Sequence, residues 1–176
     1  MSESAYCSVV AELTLAVGEA FQRPRLLPAF LLLYVSIDVI SSLTRPIAQS
    51  DTSGDIFKKW VDDYMLPSAG LLCRSEDIWA ARCGFLHTLS VESKLSRGGH
   101  ARELQYVDQK ESAATIQKRL DPSAQKYVII YLKDYVAAFL SALDKFSKQV
   151  ESDLTLQAVV YHHVEKLVVQ ETIKNA

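Results

Sequence analysis

Glycine and proline are scarce, six and five in 176 residues. Their rarity leaves long uninterrupted runs, which favour helices, and no stretch reads as a low-complexity linker. Cysteine is equally sparse. The three cysteines, Cys7, Cys73 and Cys83, cannot pair completely and contain no CxxC, which excludes a disulfide framework and suits a reducing, cytoplasmic setting. Neither sign of charge dominates: a formal net charge of -2 excludes a generally basic nucleic-acid binder, so such contact would need a local patch. The most apolar run is shorter than a bilayer span. The most apolar segment, residues 26–40, contains Pro28, Ser36 and Asp38 and reads as a core helix, and the first residues lack a basic start and carry Glu12, so no membrane association is expected. No Walker loop, dinucleotide-binding glycine pattern, HExxH or Gly-x-Ser-x-Gly occurs, so no cofactor and no metal are expected.

What is present is a chain 49% hydrophobic and 23% charged, in the range of a folded protein of one ordinary domain. Helical spacing of apolar residues predicts helices over residues 4–19, about 28–43, 55–66 and 75–89. The fourth opens with Ser75 as its expected cap, followed by Glu76 and Asp77. Residues 101–107 read as a short strand or a helical turn. Asp121-Pro122 is expected to start a long helix to about residue 150, with Tyr131, Tyr135, Phe139, Leu143 and Phe146 at helical spacing, and residues 154–173 to form the last one. The reading is all-α: one antiparallel helical bundle of about six helices spanning residues 1–176, with an irregular basic loop at about 90–110.

The chemical signal is concentrated after Ser75. On a helical wheel Ile78, Trp79, Phe85, Leu86 and Leu89 share one arc, and Arg82 falls near its middle. A guanidinium there cannot shed its charge and needs a carboxylate, a phosphate, a partner subunit or a path to water, with its stem packed on Trp79 in the last case. His87 comes five residues later. The loop SKLSRGGHAR then brings Lys94, Arg97, His100 and Arg102 with no acid between Glu92 and Glu103, and Gly98 and Gly99 would let backbone N–H groups approach a phosphate. A solvated basic loop is the plain alternative.

An all-helical domain of this size with Arg-x4-His near a helix end resembles the HEPN superfamily, helical bundles of which many are metal-independent ribonucleases of toxin, abortive-infection and antiviral systems. The similarity covers about residues 30–106. It implies Arg82 as the motif arginine and His87 as the motif histidine, commonly in a homodimer. It also implies RNA as substrate and, for a toxin, a neutralising antitoxin as partner. Cys83 departs from the polar residue frequent after the arginine, and Leu89 stands where one variant of the motif has tyrosine. In the implied reaction the RNA 2′-OH attacks the adjacent phosphorus; His87 acts as base, Arg82 stabilises the extra charge, and a 2′,3′-cyclic phosphate results. On an ideal helix side chains five residues apart point about 140° apart. Either the helix loosens after Gly84, or the site forms across a two-fold axis.

Asp38 is a further candidate, as a carboxylate orienting Arg82 or His87; alternatively Tyr34, Asp38, Ser41 and Ser42 form a solvated or loop-facing helix edge. Cys83 and His87 have a zinc-compatible spacing, but Cys7 and Cys73 are isolated and read as buried thiols, and His162-His163-x-Glu165 reads as a surface or interface pair. Trp60, Tyr64, Trp79 and the tyrosines at 127, 131 and 135 read as core. The rival to an RNA-directed protein is a non-catalytic helical interaction module, an immunity or adaptor protein, in which Arg82 and His87 are structural.

Overall fold

A computed structural model describes residues 2–22, 25–68, 70–90, 92–108 and 113–167. The chain is largely helical, in the order α1 (Ser2–Phe21), α2 (Leu26–Ser42), α3 (Gly54–Trp60), α4 (Ser75–Thr88), α5 (Lys94–Arg97), β1 (Glu103–Val107), α6 (Ala113–Leu120), β2 (Tyr127–Tyr131), α7 (Leu132–Ser152) and α8 (Leu154–Val164). The most apolar segment is indeed a core helix: α2 buries Leu33, Tyr34, Ile37 and Ile40 completely. α1 is long and apolar enough by length and mean hydropathy to cross a membrane, yet it packs Tyr6 and Val17 into the same core as α2 and α8. Both strands and all the longer helices contribute to one contiguous apolar core, in which Trp60, Phe57, Tyr135, Phe139 and Phe146 are the bulkiest inhabitants with Tyr34.

α3 starts at Ser53, whose hydroxyl accepts the Ile56 N–H. It does not stay α-helical to residue 66. From Val61 to Met65 the backbone widens into a π turn, followed by a 3-10 turn at Leu66–Ser68 that includes Pro67. The wide turn sets Trp60 and Tyr64 on the same side, their ring centroids 6.1 and 5.1 Å from that of Phe146 on α7.

Strands are the main departure from an all-α chain. Glu103–Val107 and Tyr127–Tyr131 pair in parallel, Glu103 opposite Tyr127 and Val107 opposite Tyr131. A strand was one of the two expectations for the first segment. The second strand, with α6 before it, replaces the front half of the long helix expected from residue 121, and α7 begins only at Leu132. Local chemistry explains the change. Asp121 Oδ2 accepts the N–H groups of Lys126 and Tyr127, folding Pro122 into a turn, and the run YVIIY is β-branched and aromatic, suited to a buried strand. Gln117 then fastens α6 to β2, its amide accepting the Ile129 N–H and donating to the Tyr127 carbonyl. The final helix is described to Val164, and residues 168–173 of the expected span lie outside the described residues.

Candidate functional site

α4 orders the candidate residues. Its buried face includes Asp77, Ile78, Ala80, Ala81 and Gly84, so the helix meets the core largely with small residues and the large ones flank it. Arg82 therefore does not occupy the middle of the apolar face. It sits at the edge, its side chain 19% exposed, with the guanidinium carbon 5.0 Å from the Trp79 ring centroid. Its head turns to α2: Nε donates to Asp38 Oδ2 at 2.7 Å, and Nη2 donates to the same oxygen. Burial works against the Arg82 charge, but the Asp38 hydrogen bonds and charge outweigh it and hold the guanidinium above its ordinary pKa. Cys83 is half-buried, and burial pushes its thiol up despite the neighbouring guanidinium.

Asp38 thus meets Arg82 across 44 residues of sequence. The solvated-edge reading of its helix does not hold, since Tyr34 and Ser41 are fully buried and the Tyr34 hydroxyl bonds that of Tyr106 on β1. The pair is partly exposed beside half-buried Trp79 and Cys83; on the same two helices Val35 is 42% exposed and Val39 and Leu86 are half-buried.

His87 lies in the last turn of α4, exposed and without a hydrogen-bond or ionic partner among the described residues. The helix does not loosen between Arg82 and His87. It runs unbroken to Thr88 and ends with Leu89 in the left-handed region at φ 53, where the Ser90 N–H closes onto the Gly84 carbonyl. Gly84 is required here: a Cβ would lie 2.6 Å from the Ser90 carbonyl oxygen and 2.8 Å from that of Glu92. Of the two routes to a joint Arg82–His87 site, the loosened helix is absent, and only a two-fold arrangement remains.

At the other end of α4 the structure corrects two expectations. Ser75 is not the cap. Asp77 plays that part from inside the helix, its Oδ2 accepting the Arg74 N–H, while the Ser75 hydroxyl donates to Asp62. And Arg102 is not a free member of the basic loop. Its Nε and Nη2 donate to Asp77 Oδ2 at 3.0 and 2.6 Å, its own N–H donates to Oδ1, and Arg74 Nη2 adds a further contact. Asp77 is wholly buried. Desolvation alone would raise its pKa, yet the bonds from Arg102 and Arg74 hold the carboxyl below its usual range. Two N–H groups of the backbone and two guanidiniums on one carboxylate are what sequence reasoning missed; an acid on the buried side of α4 was the available signal.

The rest of the loop divides. Arg97 pairs on the surface with Glu92 at 3.3 Å. Lys94 is exposed and without a partner among the described residues. Gly98 lies against the exposed His100 ring, where a Cβ would sit 2.9 Å from it. Gly99, at φ 72, lines a recess with Arg102. Elsewhere His163 is buried rather than superficial, bonding the Arg45 carbonyl through Nε2 at 2.9 Å, and His162 faces Lys166. Of the two cysteines expected to be buried, Cys73 is, whereas Cys7 is exposed on α1, whose buried residues are Tyr6 and Val17. No family model, no curated protein and no solved structure matches this chain.

Proposed function

We propose that this chain is a HEPN-like helical protein that binds RNA or a nucleotide and, as a homodimer, cleaves RNA without metal, in the manner of toxin or antiviral defence ribonucleases. The observation that carries the reading is the Asp38–Arg82 pair: a cation and an acid, each 19% exposed, joined at a half-open face instead of deep in the core. Asp38 would act as a positioning residue that fixes the guanidinium plane, leaving Arg82 to meet phosphoryl oxygens. The apolar rim of Val35, Val39 and Leu86 suits a second copy, and a two-fold axis there would bring two arginines and two His87 imidazoles to one cleft.

In that cleft one His87 takes the proton from the 2′-hydroxyl as the oxygen attacks phosphorus. Its counterpart in the second copy returns a proton to the departing 5′-oxygen. Arg82 faces the charge that builds on the non-bridging oxygens. The test is single-stranded RNA incubated with the pure protein in chelator. Wild type should leave 2′,3′-cyclic phosphate ends, and Arg82→Ala and His87→Ala should each abolish them with unchanged circular dichroism. Equal behaviour of all three on such RNA rules the chemistry out.

One observation favours the second reading, a non-catalytic interaction module: Arg82 and Arg102 both already have carboxylate partners, Asp38 and Asp77. Under it the same face engages a protein, an antitoxin-like neutraliser or another partner, and the variants lose that complex but no RNA product.

A further inference from the structure

At the N-terminal end of α4, away from Arg82 and His87, lies a recess of about 490 Å³ lined by Arg74, Ser96, Gly99, Arg102, Ala124 and Lys126, with Ala101 and Gln125. Three of these side chains are cationic and none is acidic. We propose that this recess binds a terminal phosphate group, the phosphomonoester end of a nucleotide or of an RNA strand. The proposal deepens the RNA-directed reading and rests on it for the identity of the molecule that carries the phosphate.

The cations play different parts. Arg102 is a fixed floor: Nε and one Nη2 hydrogen go to Asp77, the second Nη2 hydrogen to the Leu72 carbonyl and one Nη1 hydrogen to the Ala124 carbonyl, which leaves one Nη1 hydrogen for a ligand. Arg74 and Lys126 are the adjustable arms. The Arg74 side chain is 55% exposed and commits only Nη2 to Asp77. Lys126 is exposed, with its ammonium 4.8 Å from the centroid of the Tyr127 ring. The acids nearby do not enter the lining. Asp77 lies beneath, wholly buried; Glu103 and Glu92 act on Lys126 through space; Asp121 accepts the Lys126 and Tyr127 amides and so holds the turn that presents the lysine.

The backbone is shaped for this. Of the two non-glycine residues with positive φ among the described residues, one is Ala124, at φ 49, and it shares the lining with Gly99 at φ 72. A left-handed alanine costs backbone strain, and such strain concentrates where surrounding structure holds a site in shape. It places the Ala124 carbonyl on Arg102 and keeps that guanidinium at the floor.

Convergence selects the ligand. Three cations gather on one recess instead of lining a track, and among the described residues no aromatic ring lines it to stack a base, so it reads a single phosphate and not a strand or a nucleobase. A terminal phosphate, with more charge than an internal diester, gains most from such a cluster.

The experiment compares 5′-phosphorylated and 5′-hydroxyl forms of one short oligoribonucleotide by fluorescence anisotropy at fixed ionic strength in chelator, with adenosine monophosphate and inorganic phosphate as competitors. Wild type should prefer the phosphorylated strand by about tenfold, about 1.4 kcal/mol. Both competitors should displace it. Lys126→Glu should reduce the preference to about twofold or less while melting like wild type, and Arg74→Gln should do the same with a small loss of melting temperature from losing its single side-chain bond to Asp77. Displacement by adenosine monophosphate but not by phosphate alone would mean that the nucleoside is read, and overturns the proposal. So would equal affinity for the two strands, or a preference that survives both substitutions. Arg82→Ala separates the two ideas: it should abolish cyclic-phosphate products yet keep the preference for the phosphorylated end. Failure of cleavage by wild type itself, with that preference intact, removes the catalytic reading and leaves the phosphate site standing.

Discussion

The start and the middle of α4 each carry an arginine–carboxylate contact, and the two are built for different purposes. At the start, Asp77 is fully buried and receives Arg102, Arg74 and two backbone amides. Its charge is satisfied from within, and the cluster ties α4 to the entry of β1. Near the middle, Asp38 and Arg82 form a single pair at a half-open face, both bonds going to one carboxylate oxygen. A buried network resists replacement because losing one partner strands another in low dielectric, whereas a partly solvated pair lets water take the place of a lost partner. The same two residue types therefore form a buried fold determinant in one place and a partly solvated pair in the other.

Substitution at the buried cluster should do the most damage. Asp77→Asn strands the Arg102 guanidinium, and we expect a loss of about 3–5 kcal/mol in denaturant unfolding. A loss below about 1 kcal/mol would erase the distinction between the two contacts. Gly84→Ala, further along the helix, forces its new methyl against two carbonyl oxygens and should cost about 1–3 kcal/mol by the same measurement, with the loss of the tight helix exit that positions His87.

Acid sharpens the contrast further. Because the folded Asp77 carboxyl titrates below its unfolded value, near 3.9, it adds stability that is fully present above that pH. The contribution is lost as pH falls through the lower folded value. Unfolding measured down a pH series should show this acid limb in wild type and in Asp38→Asn, and a flatter one in Asp77→Asn. The smallest effect on stability belongs to Asp38→Asn itself, within about 1 kcal/mol at neutral pH. If the RNA-directed reading holds, its effect appears instead in the rate of cyclic-phosphate formation, with Arg82 present but no longer oriented.

Physics decides which of these features the sequence could reveal. Asp38 and Arg82 stand out because each interrupts an apolar helix, and their meeting in space is what such interruptions require. The helices from α1 to α4 are legible within a few residues, apart from the π turn, for the same reason of spacing. β2 is not, since Tyr127 and Tyr131 continue the four-residue spacing of Tyr135 and Phe139 backwards and imitate a helix. The turn that breaks the imitation depends on Asp121 reaching two amides several residues on, which periodicity does not register. The basic loop misleads in the opposite direction: Arg102 looks free because its acid lies 25 residues earlier, and Arg74 and Lys126 escape notice because they flank other elements. The position of Arg82 on α4 is misjudged since large side chains dominate a helical wheel, whereas this helix approaches the core through Ala80, Ala81 and Gly84.

The π turn at Val61–Met65 amounts to one residue of slack wound into an otherwise ordinary helix. Excising a single residue there would take up the slack and return the turn to regular α pitch, leaving the flanking turns in register but changing which of residues 61–65 faces α7, and with it the seating of Tyr64 on Phe146. A one-residue deletion there should therefore be felt in the contact with α7 more than in the course of the chain towards α4.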